Sequence, residues 1–203
     1  VASDRAGGDQ FGKSVSISGD YAIVGSHNED HDVTGGNVLS NAGSSYIFKR
    51  SGTTWNQEAK IVASDRAGGD YFGWSVSISG DYAIVGASYE DHDVTGGNVL
   101  SNAGSAYIFK RSGTTWNQET KIVASDRGGS DYFGYSVSIS GNRSIVGAYG
   151  HDYDLNGANF VSQTGACYLF ERPAIGPETN PFVNYRSVIK LDAGVQHSSF
   201  QAA

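Results

Sequence analysis

Residues 62–122 read VASDRAGGDYFGWSVSISGDYAIVGASYEDHDVTGGNVLSNAGSAYIFKRSGTTWNQETKI, and this unit is repeated through the chain. Residues 1–61 differ from it at seven positions, and a third copy starts at Val123 and diverges after Gly141. Tandem copies of one unit predict a repeat architecture, in which each copy occupies an equivalent environment.

Four short segments of each copy have the pattern of β-strands; in the second copy they are residues 72–79, 82–85, 106–110 and 116–122. Val76 and Ile78 alternate with serines, which is typical of a strand with one buried face. Gly80-Asp81 is a hairpin turn signal, and no segment repeats its apolar residues at helical spacing. The sequence therefore predicts an all-β fold with four antiparallel strands per repeat, as in a β-propeller blade.

Composition excludes several classes of protein. The chain has a net charge of −7, which argues against a nucleic-acid partner because phosphate binding needs a basic surface. No apolar run approaches the roughly 18 residues of a membrane span. The single Cys167 rules out an internal disulfide, and we expect a small buried strand residue, with an intermolecular bridge as the alternative.

The copies share a Phe-Gly pair followed by a Gly-Ala or Gly-Ser pair: Phe11-Gly12 with Gly25-Ser26, Phe72-Gly73 with Gly86-Ala87, and Phe133-Gly134 with Gly147-Ala148. These pairs resemble FG-GAP repeats, the blades of the integrin α-subunit propeller and of many bacterial surface proteins, and the spelling is most similar to the long bacterial version. The proline of the motif is replaced by His27, Ser88 and Tyr149.

The resemblance covers residues 1 to about 172 and implies a β-propeller, usually of about seven blades, at an extracellular or cell-surface location. We expect blades at residues 1–61, 62–122 and 123–172. Residues 173–203 are expected to be a C-terminal extension, with a strand at 184–192 that completes the last blade or a neighbouring one.

One acidic loop per copy has the spacing of a calcium loop, with oxygen side chains at positions one, three and five and glycine at six. The proposed ligands are Asp30, Asp32, Thr34, Asp91, Asp93, Thr95, Asp152, Asp154 and Asn156, and the loop glycines are Gly35, Gly96 and Gly157. The FG-GAP resemblance implies calcium sites in this same loop. The glycines are expected to have positive φ angles.

Position nine of the loop carries Val38, Val99 or Phe160 in place of an acidic ligand. The missing carboxylate predicts weak affinity, in the range of roughly 0.1–1 mM, unless Glu29 and Glu90, or the asparagines at 37, 98 and 159, compensate. The alternative is a solvated Asp-rich loop shaped by turns between side chain and backbone.

Other candidate residues have simpler explanations. The loop histidines His31 and His92 are expected to be surface residues, with zinc binding or pH sensing as the alternative. Six aspartates before the Phe-Gly pairs are typical of turns: Asp4, Asp65, Asp126, Asp9, Asp70 and Asp131. Tyr71 and Trp74 are expected to pack between blades, with sugar stacking as the alternative. Asn142 begins a glycosylation sequon in a hairpin turn.

No enzyme motif is present, and near-identical repeats favour multivalent binding over a single asymmetric active site. We expect a non-enzymatic, calcium-binding surface protein that mediates adhesion or binds a protein or glycan ligand. One alternative is a structural subunit of a fibre, sheath or closed oligomer, and a second is a propeller lectin.

Three blades are fewer than the roughly four to eight that close a propeller. We therefore expect either that the chain is a piece of a larger ring or that several chains complete the ring by head-to-tail self-association. The strand around Val188 to Leu191 is the expected connecting element.

Overall fold

The computed structural model describes residues 1–153 and 160–172 and the backbone of residues 186–192. Within these residues every regular element is a β-strand, and none of the described segments forms a helix that could cross a membrane. The strands are β1 Val15–Ser18, β2 Tyr21–Ser26, β3 Ser44–Ser51, β4 Thr54–Ile61, β5 Ser75–Ser79, β6 Tyr82–Ala87, β7 Ser105–Ser112, β8 Thr115–Ile122, β9 Phe133–Ser140, β10 Arg143–Ala148, β11 Ala166–Glu171 and β12 Arg186–Asp192.

The strands form three four-stranded antiparallel sheets, with the orders β1-β2-β3-β4, β5-β6-β7-β8 and β9-β10-β11-β12. One sheet corresponds to one repeat, so we call them blades 1, 2 and 3. The hairpins between the first two strands of each blade turn at Gly19, Gly80 and Gly141, whose φ angles are 56°, 58° and 58°. Side chains resist this left-handed backbone, and glycine adopts it without steric cost.

The core lies between the blades. The second strand of each blade is covered on both faces; in β6, Ala83 and Val85 pack toward blade 1, and Ile84 packs toward blade 3. One apolar cluster joins blades 1 and 2 and contains Ile23, Ile47, Val76 and Trp116. The second joins blades 2 and 3 and contains Ile108, Ile139, Val146 and Tyr168.

The Phe-Gly pair fixes the spacing between blades. Phe72 packs edge-on against Tyr107 and Phe109 of its own blade and forms a parallel bridge with Gly43 of the preceding blade. A β-carbon at Gly25 would collide with the Gly73 carbonyl oxygen, so two backbones meet where a side chain would not fit. The all-β prediction and the antiparallel blades are confirmed, and the ring is open within the described residues.

Candidate functional site

The acidic loop follows the second strand of each blade and is a turn closed by its own side chains. In blade 1, Asp32 Oδ1 accepts hydrogen bonds from the backbone N of Thr34 at 2.8 Å, from Thr34 Oγ1 at 2.6 Å and from the backbone N of Gly36 at 3.3 Å. These bonds, first those from Thr34, lower the pKa of Asp32 to about 2. Asp93 makes the same three bonds in blade 2.

The first aspartate of the loop anchors it to the turn that precedes the next strand. Asp30 Oδ1 accepts a hydrogen bond from the backbone N of Asn41 at 2.7 Å. The carbonyl oxygens of Asp30 and Asn37 each accept a bond at 2.9 Å from the guanidinium of Arg66, which belongs to blade 2. Arg127 of blade 3 holds the loop of blade 2 in the same way. The loop is therefore also a contact between neighbouring blades.

Gly35 and Gly96 both have φ angles of 76°, which confirms the prediction for these two loop glycines. In blade 3, Asp152 Oδ1 accepts a bond from the backbone N of Gln163 at 2.7 Å, as Asp30 does from Asn41. The other predicted residues of that loop, Asp154, Asn156 and Gly157, lie outside the described residues.

The candidate metal ligands of the loop are hard oxygen atoms, which calcium prefers. They lie at an exposed turn whose glycine has the conformation that a calcium loop requires. Two of them, Asp32 and Thr34, are bonded to each other, so a metal ion would have to replace that bond. Within the described part of the chain, no three His, Cys, Asp or Glu side chains lie together in the arrangement of a metal site.

A buried ion-pair network lies beneath each of the first two loops. In blade 2, Lys121 Nζ lies 3.0 Å from Glu90 Oε2 and 2.8 Å from Asp65 Oδ2, and Glu90 also accepts a bond from Ser105 Oγ at 2.6 Å. His92 contacts Glu90 at 3.1 Å. Blade 1 repeats the arrangement with Glu29, Lys60 and His31. Sequence reasoning missed this pair because lysine and glutamate lie 31 positions apart.

Blade 3 replaces the glutamate with His151, whose side chain is buried and whose Nδ1 lies 3.1 Å from Asp131 Oδ2. Of the six aspartates before the Phe-Gly pairs, Asp9, Asp70 and Asp131 each accept a bond from a backbone N three residues earlier, as expected for turns. Asp4 and Asp65 also pair with Lys60 and Lys121. Burial, followed by the charges of Glu90 and Asp65, raises the pKa of Asp70 to about 7.

Seven aromatic residues form a continuous surface across the three blades, at the end where the first strand of a blade begins and the second ends. We call it the aromatic ribbon; its members are His27, Tyr71, Trp74, Tyr89, Tyr132, Tyr135 and Tyr149. Neighbouring ring centroids are 4.4–6.1 Å apart. Tyr132 and Tyr149 are stacked with an angle of 15° between their planes, and the other contacts are edge-on or tilted.

Part of the aromatic ribbon is exposed to solvent. Tyr149 is 47% exposed and Tyr135 is 39% exposed, whereas Tyr71, Trp74, Tyr89 and Tyr132 are half-buried. Lys13 Nζ lies 5.1 Å from the Trp74 ring centroid. Burial, followed by the neighbouring phenols, raises the pKa of Tyr89 and Tyr149.

Comparison with known protein families then identifies the repeats. The FG-GAP repeat family matches the chain three times, at residues 1–48, 55–109 and 116–170. The chain belongs to the FG-GAP repeat family. No individual curated protein matches it.

The aromatic ribbon lies at and near the position of the proline in the FG-GAP motif. Of the three residues that replace the motif proline, His27 and Tyr149 belong to the ribbon, and Ser88 precedes ribbon residue Tyr89. Four of the seven differences between the first two FG-GAP copies also fall at ribbon positions: 10/71, 13/74, 27/88 and 28/89. The remaining three are 26/87, 45/106 and 59/120. Two otherwise near-identical blades thus differ mainly on this surface.

The last two predicted features lie in the third FG-GAP blade. Asn142 is in the β9–β10 hairpin turn, and its Nδ2 donates to Glu171 Oε1 at 3.1 Å and to the carbonyl oxygen of Arg172 at 3.3 Å. Cys167 lies in β11 and is half-buried. The fourth strand of this blade, β12, pairs with β11.

Proposed function

We propose that this chain is a non-enzymatic binding module of an extracellular or cell-surface FG-GAP protein, and that it binds its ligand on the aromatic ribbon. The observation that carries the proposal is the concentration of repeat differences at the ribbon. Away from the ribbon the two blades differ at only three positions, and two of these are small buried residues, Ser26/Ala87 and Ser45/Ala106. A ligand surface can differ between blades, because each blade can contribute a different group to it.

The chemistry of the ribbon favours a glycan, so the propeller-lectin alternative is the specific form of the proposal. Tyrosine and tryptophan present flat apolar faces beside polar hydrogen-bonding edges, which suits the apolar faces and hydroxyl groups of sugar rings. Tyr135 and Tyr149 offer the most exposed rings. A contiguous row of rings also suits an extended oligosaccharide better than a single sugar.

The test is binding to an array of defined oligosaccharides, followed by titration calorimetry with the strongest ligand. Tyr149→Ala and Tyr135→Ala are each expected to weaken binding about tenfold, as expected for truncation of an aromatic anchor. Trp55→Ala is the matched control, since Trp55 is an exposed aromatic on β4 outside the ribbon. Failure of the protein to bind any glycan, or equal losses for Trp55→Ala, would contradict the proposal.

We further propose that the acidic loops take up calcium with low affinity. Asp30, Asp32 and Thr34, with their counterparts in the other two blades, would hold the ion. The support is the set of hard oxygens, the positive φ of the loop glycine and the recurrence of the loop in each copy. A calcium ion would supply positive charge that these loop oxygens coordinate.

Calcium titration by calorimetry is expected to give dissociation constants near 0.1–1 mM, and added calcium is expected to raise the melting temperature because only the folded state binds it. The paired change Asp91→Ala and Asp93→Ala should remove one site. Asp93→Asn is the control for loop structure, since it keeps an oxygen acceptor for Thr95 and removes the charge. The absence of calcium uptake at millimolar concentration would refute this part of the proposal.

A further inference from the structure

The ribbon positions of blade 1 carry polar groups where the other two blades carry rings. The positions at which blades 1 and 2 differ on the ribbon hold Gln10, Lys13, His27 and Asn28 in blade 1. In blade 2 the same positions hold three aromatic residues and Ser88, and in blade 3 they hold three tyrosines and Gly150. This surface is therefore polar at blade 1 and aromatic across blades 2 and 3.

Lys13 takes the place of a ring in this surface. The corresponding residues of blades 2 and 3 are Trp74 and Tyr135, whose ring centroids are 5.4 Å apart. Lys13 Nζ lies 5.1 Å from the Trp74 centroid, which is nearly the same spacing. Trp74 lies between two described blades and is still only half-buried, so exposure of this position belongs to the repeat. A positive charge thus continues the row of rings.

The ammonium group of Lys13 is available to a ligand. Among the residues that the structure describes it forms no ion pair, whereas Lys60 and Lys121 each contact two carboxylates. A lysine ammonium has three hydrogen-bond donors, and the Trp74 ring attracts its charge without supplying an oxygen acceptor. An anion beside Trp74 would therefore find both a positive charge and free N–H groups.

An uncharged histidine lies next to this lysine. The His27 ring is buried, and its centroid lies 4.9 Å from that of Trp74. Burial, followed by the charge of Lys13, lowers the pKa of His27, so the imidazole adds no second charge at neutral pH. His27 Nδ1 is buried and has no hydrogen-bond partner within the described part of the chain. A buried polar atom without a partner costs stability, and a bound polar group would relieve that cost.

The opposite preference, for a cationic ligand, has one argument in its favour. A net charge of −7 attracts cations at long range, and aromatic rings bind cations as well. The long-range field is screened beyond about 8 Å at physiological ionic strength, and Lys13 already occupies the cation position on Trp74. A second cation there would be repelled at short range. The local contacts therefore favour an anion.

We propose that the ribbon binds an extended glycan that carries an anionic group, a carboxylate or a sulfate, and that Lys13 holds this group. The inference rests on the proposed function, since it names the class of glycan that the same surface takes. The sugar rings lie on the aromatic rings of blades 2 and 3, and the anionic group lies at blade 1, where Lys13 donates hydrogen bonds to it. The rings supply affinity for sugars, and Lys13 supplies the preference for acidic over neutral ones.

Calorimetry with two matched pairs of oligosaccharides tests the charge. One pair is tetragalacturonate and its methyl ester, and the other is a κ-carrageenan tetrasaccharide and its desulfated form. The original chain is expected to bind the anionic member of at least one pair about fivefold more tightly, as for a strong exposed ion pair. The pair that shows the preference distinguishes a carboxylate from a sulfate. Equal binding within both pairs would overturn this inference and leave the proposed function standing, whereas no binding to any glycan would refute both.

Three variants assign the preference to Lys13. Lys13→Gln is expected to lose the preference and to bind the neutral member as the original chain does, and Lys13→Arg is expected to keep the preference because it keeps the charge. Lys110→Gln is the matched control. Lys110 is exposed, forms no ion pair with a described residue, and has Nζ 5.9 Å from the ring centroid of Tyr82, outside the ribbon.

Lys13→Gln and Lys110→Gln change the net charge equally, so they separate a local contact from the overall field of the protein. A preference that survives Lys13→Gln would contradict the inference, and so would an equal loss in Lys110→Gln. Thermal unfolding of each variant checks that it is folded.

Discussion

At the scale of single residues, the protein buries the carboxyl groups of Asp70 and Glu90. Asp70 is buried in the turn before Phe72, accepts a bond from the backbone N of Ala67 at 2.6 Å, and lies in the electric field of Glu90 and Asp65. The buried carboxylate of Glu90 is paired with Lys121, which also contacts the more exposed Asp65, because an ionised carboxylate away from water needs a partner. Asp70 instead has a raised pKa, since burial disfavours its charged form.

The raised pKa of Asp70 predicts a measurable pH dependence of stability. Its folded-state pKa is about 7 and its unfolded value is about 4. Between these values the folded state keeps a proton that the unfolded state has released, so this group's contribution to the free energy of unfolding falls as the pH rises. Asp70→Asn should therefore stabilise the protein, relative to the unchanged chain, more at pH 8 than at pH 4. Urea unfolding at both pH values measures this, and parallel pH profiles would contradict it.

At the level of elements, the same strand has different surroundings in each blade. β6 is sandwiched between two sheets, whereas β10 has one face packed on blade 2 and the other uncovered by any described residue. The local pattern of the two strands is nearly the same, since both read Ile-Val-Gly-Ala in their second half. Packing, and not local strand propensity, therefore determines how much each side chain contributes to the stability of the fold.

This difference predicts unequal effects at equivalent positions. Ile84→Ala should lower the free energy of unfolding by about 2–5 kcal/mol, since it leaves a cavity between blades 2 and 3. Ile145→Ala is the matched control and should cost less than about 1 kcal/mol in dilute solution, because its side chain is already 37% exposed. Chemical unfolding at low protein concentration measures both. Equal losses would mean that the outer face of blade 3 is covered in the monomer.

At the scale of the whole molecule, the described residues of each blade pack against the neighbouring blade in the chain through the two apolar clusters. The stability of such an array is approximately a sum of terms for each unit and each junction. A change in blade 3 should therefore weaken the second junction and leave the first nearly intact.

Deletion of residues 184–203 tests this. It removes β12 and leaves β11 as an unpaired edge. Amide hydrogen exchange is expected to become faster in β10 and β11 and to change little in β2 and β3. Cooperative loss of protection in all three blades would show that the array unfolds as one unit.

Most of the fold was accessible from the sequence. The 61-residue repeat, the alternation of Val76 and Ile78 and the turn glycines are local signals, and each predicts a strand or a turn from neighbouring residues alone. The candidate loop is also local, so the positive φ of Gly35 and Gly96 could be predicted. Calcium binding by the loop remains a prediction.

The candidate binding surface could not be read in this way. Sequence reasoning singled out Tyr71 and Trp74 and assigned them to packing, but it did not bring Tyr89, Tyr132 and Tyr149 to the same place. The only sequence signal was the set of positions at which the first two copies differ, and their meaning depends on knowing that they are neighbours.

The sequence by itself determined the strands, their turns and the three-blade repeat, because these depend on alternation and backbone freedom within a few residues. Only the tertiary structure decided which residues form the ribbon, which lysine pairs with which glutamate, and which apolar faces are left uncovered. Those features join residues of different blades or distant strands, and their surroundings depend on the neighbour. Val15 and Val76 lie in the same Ser-Val-Ser-Ile-Ser segment, yet one is exposed and the other is buried, because among the described residues only the second has a blade packed against it.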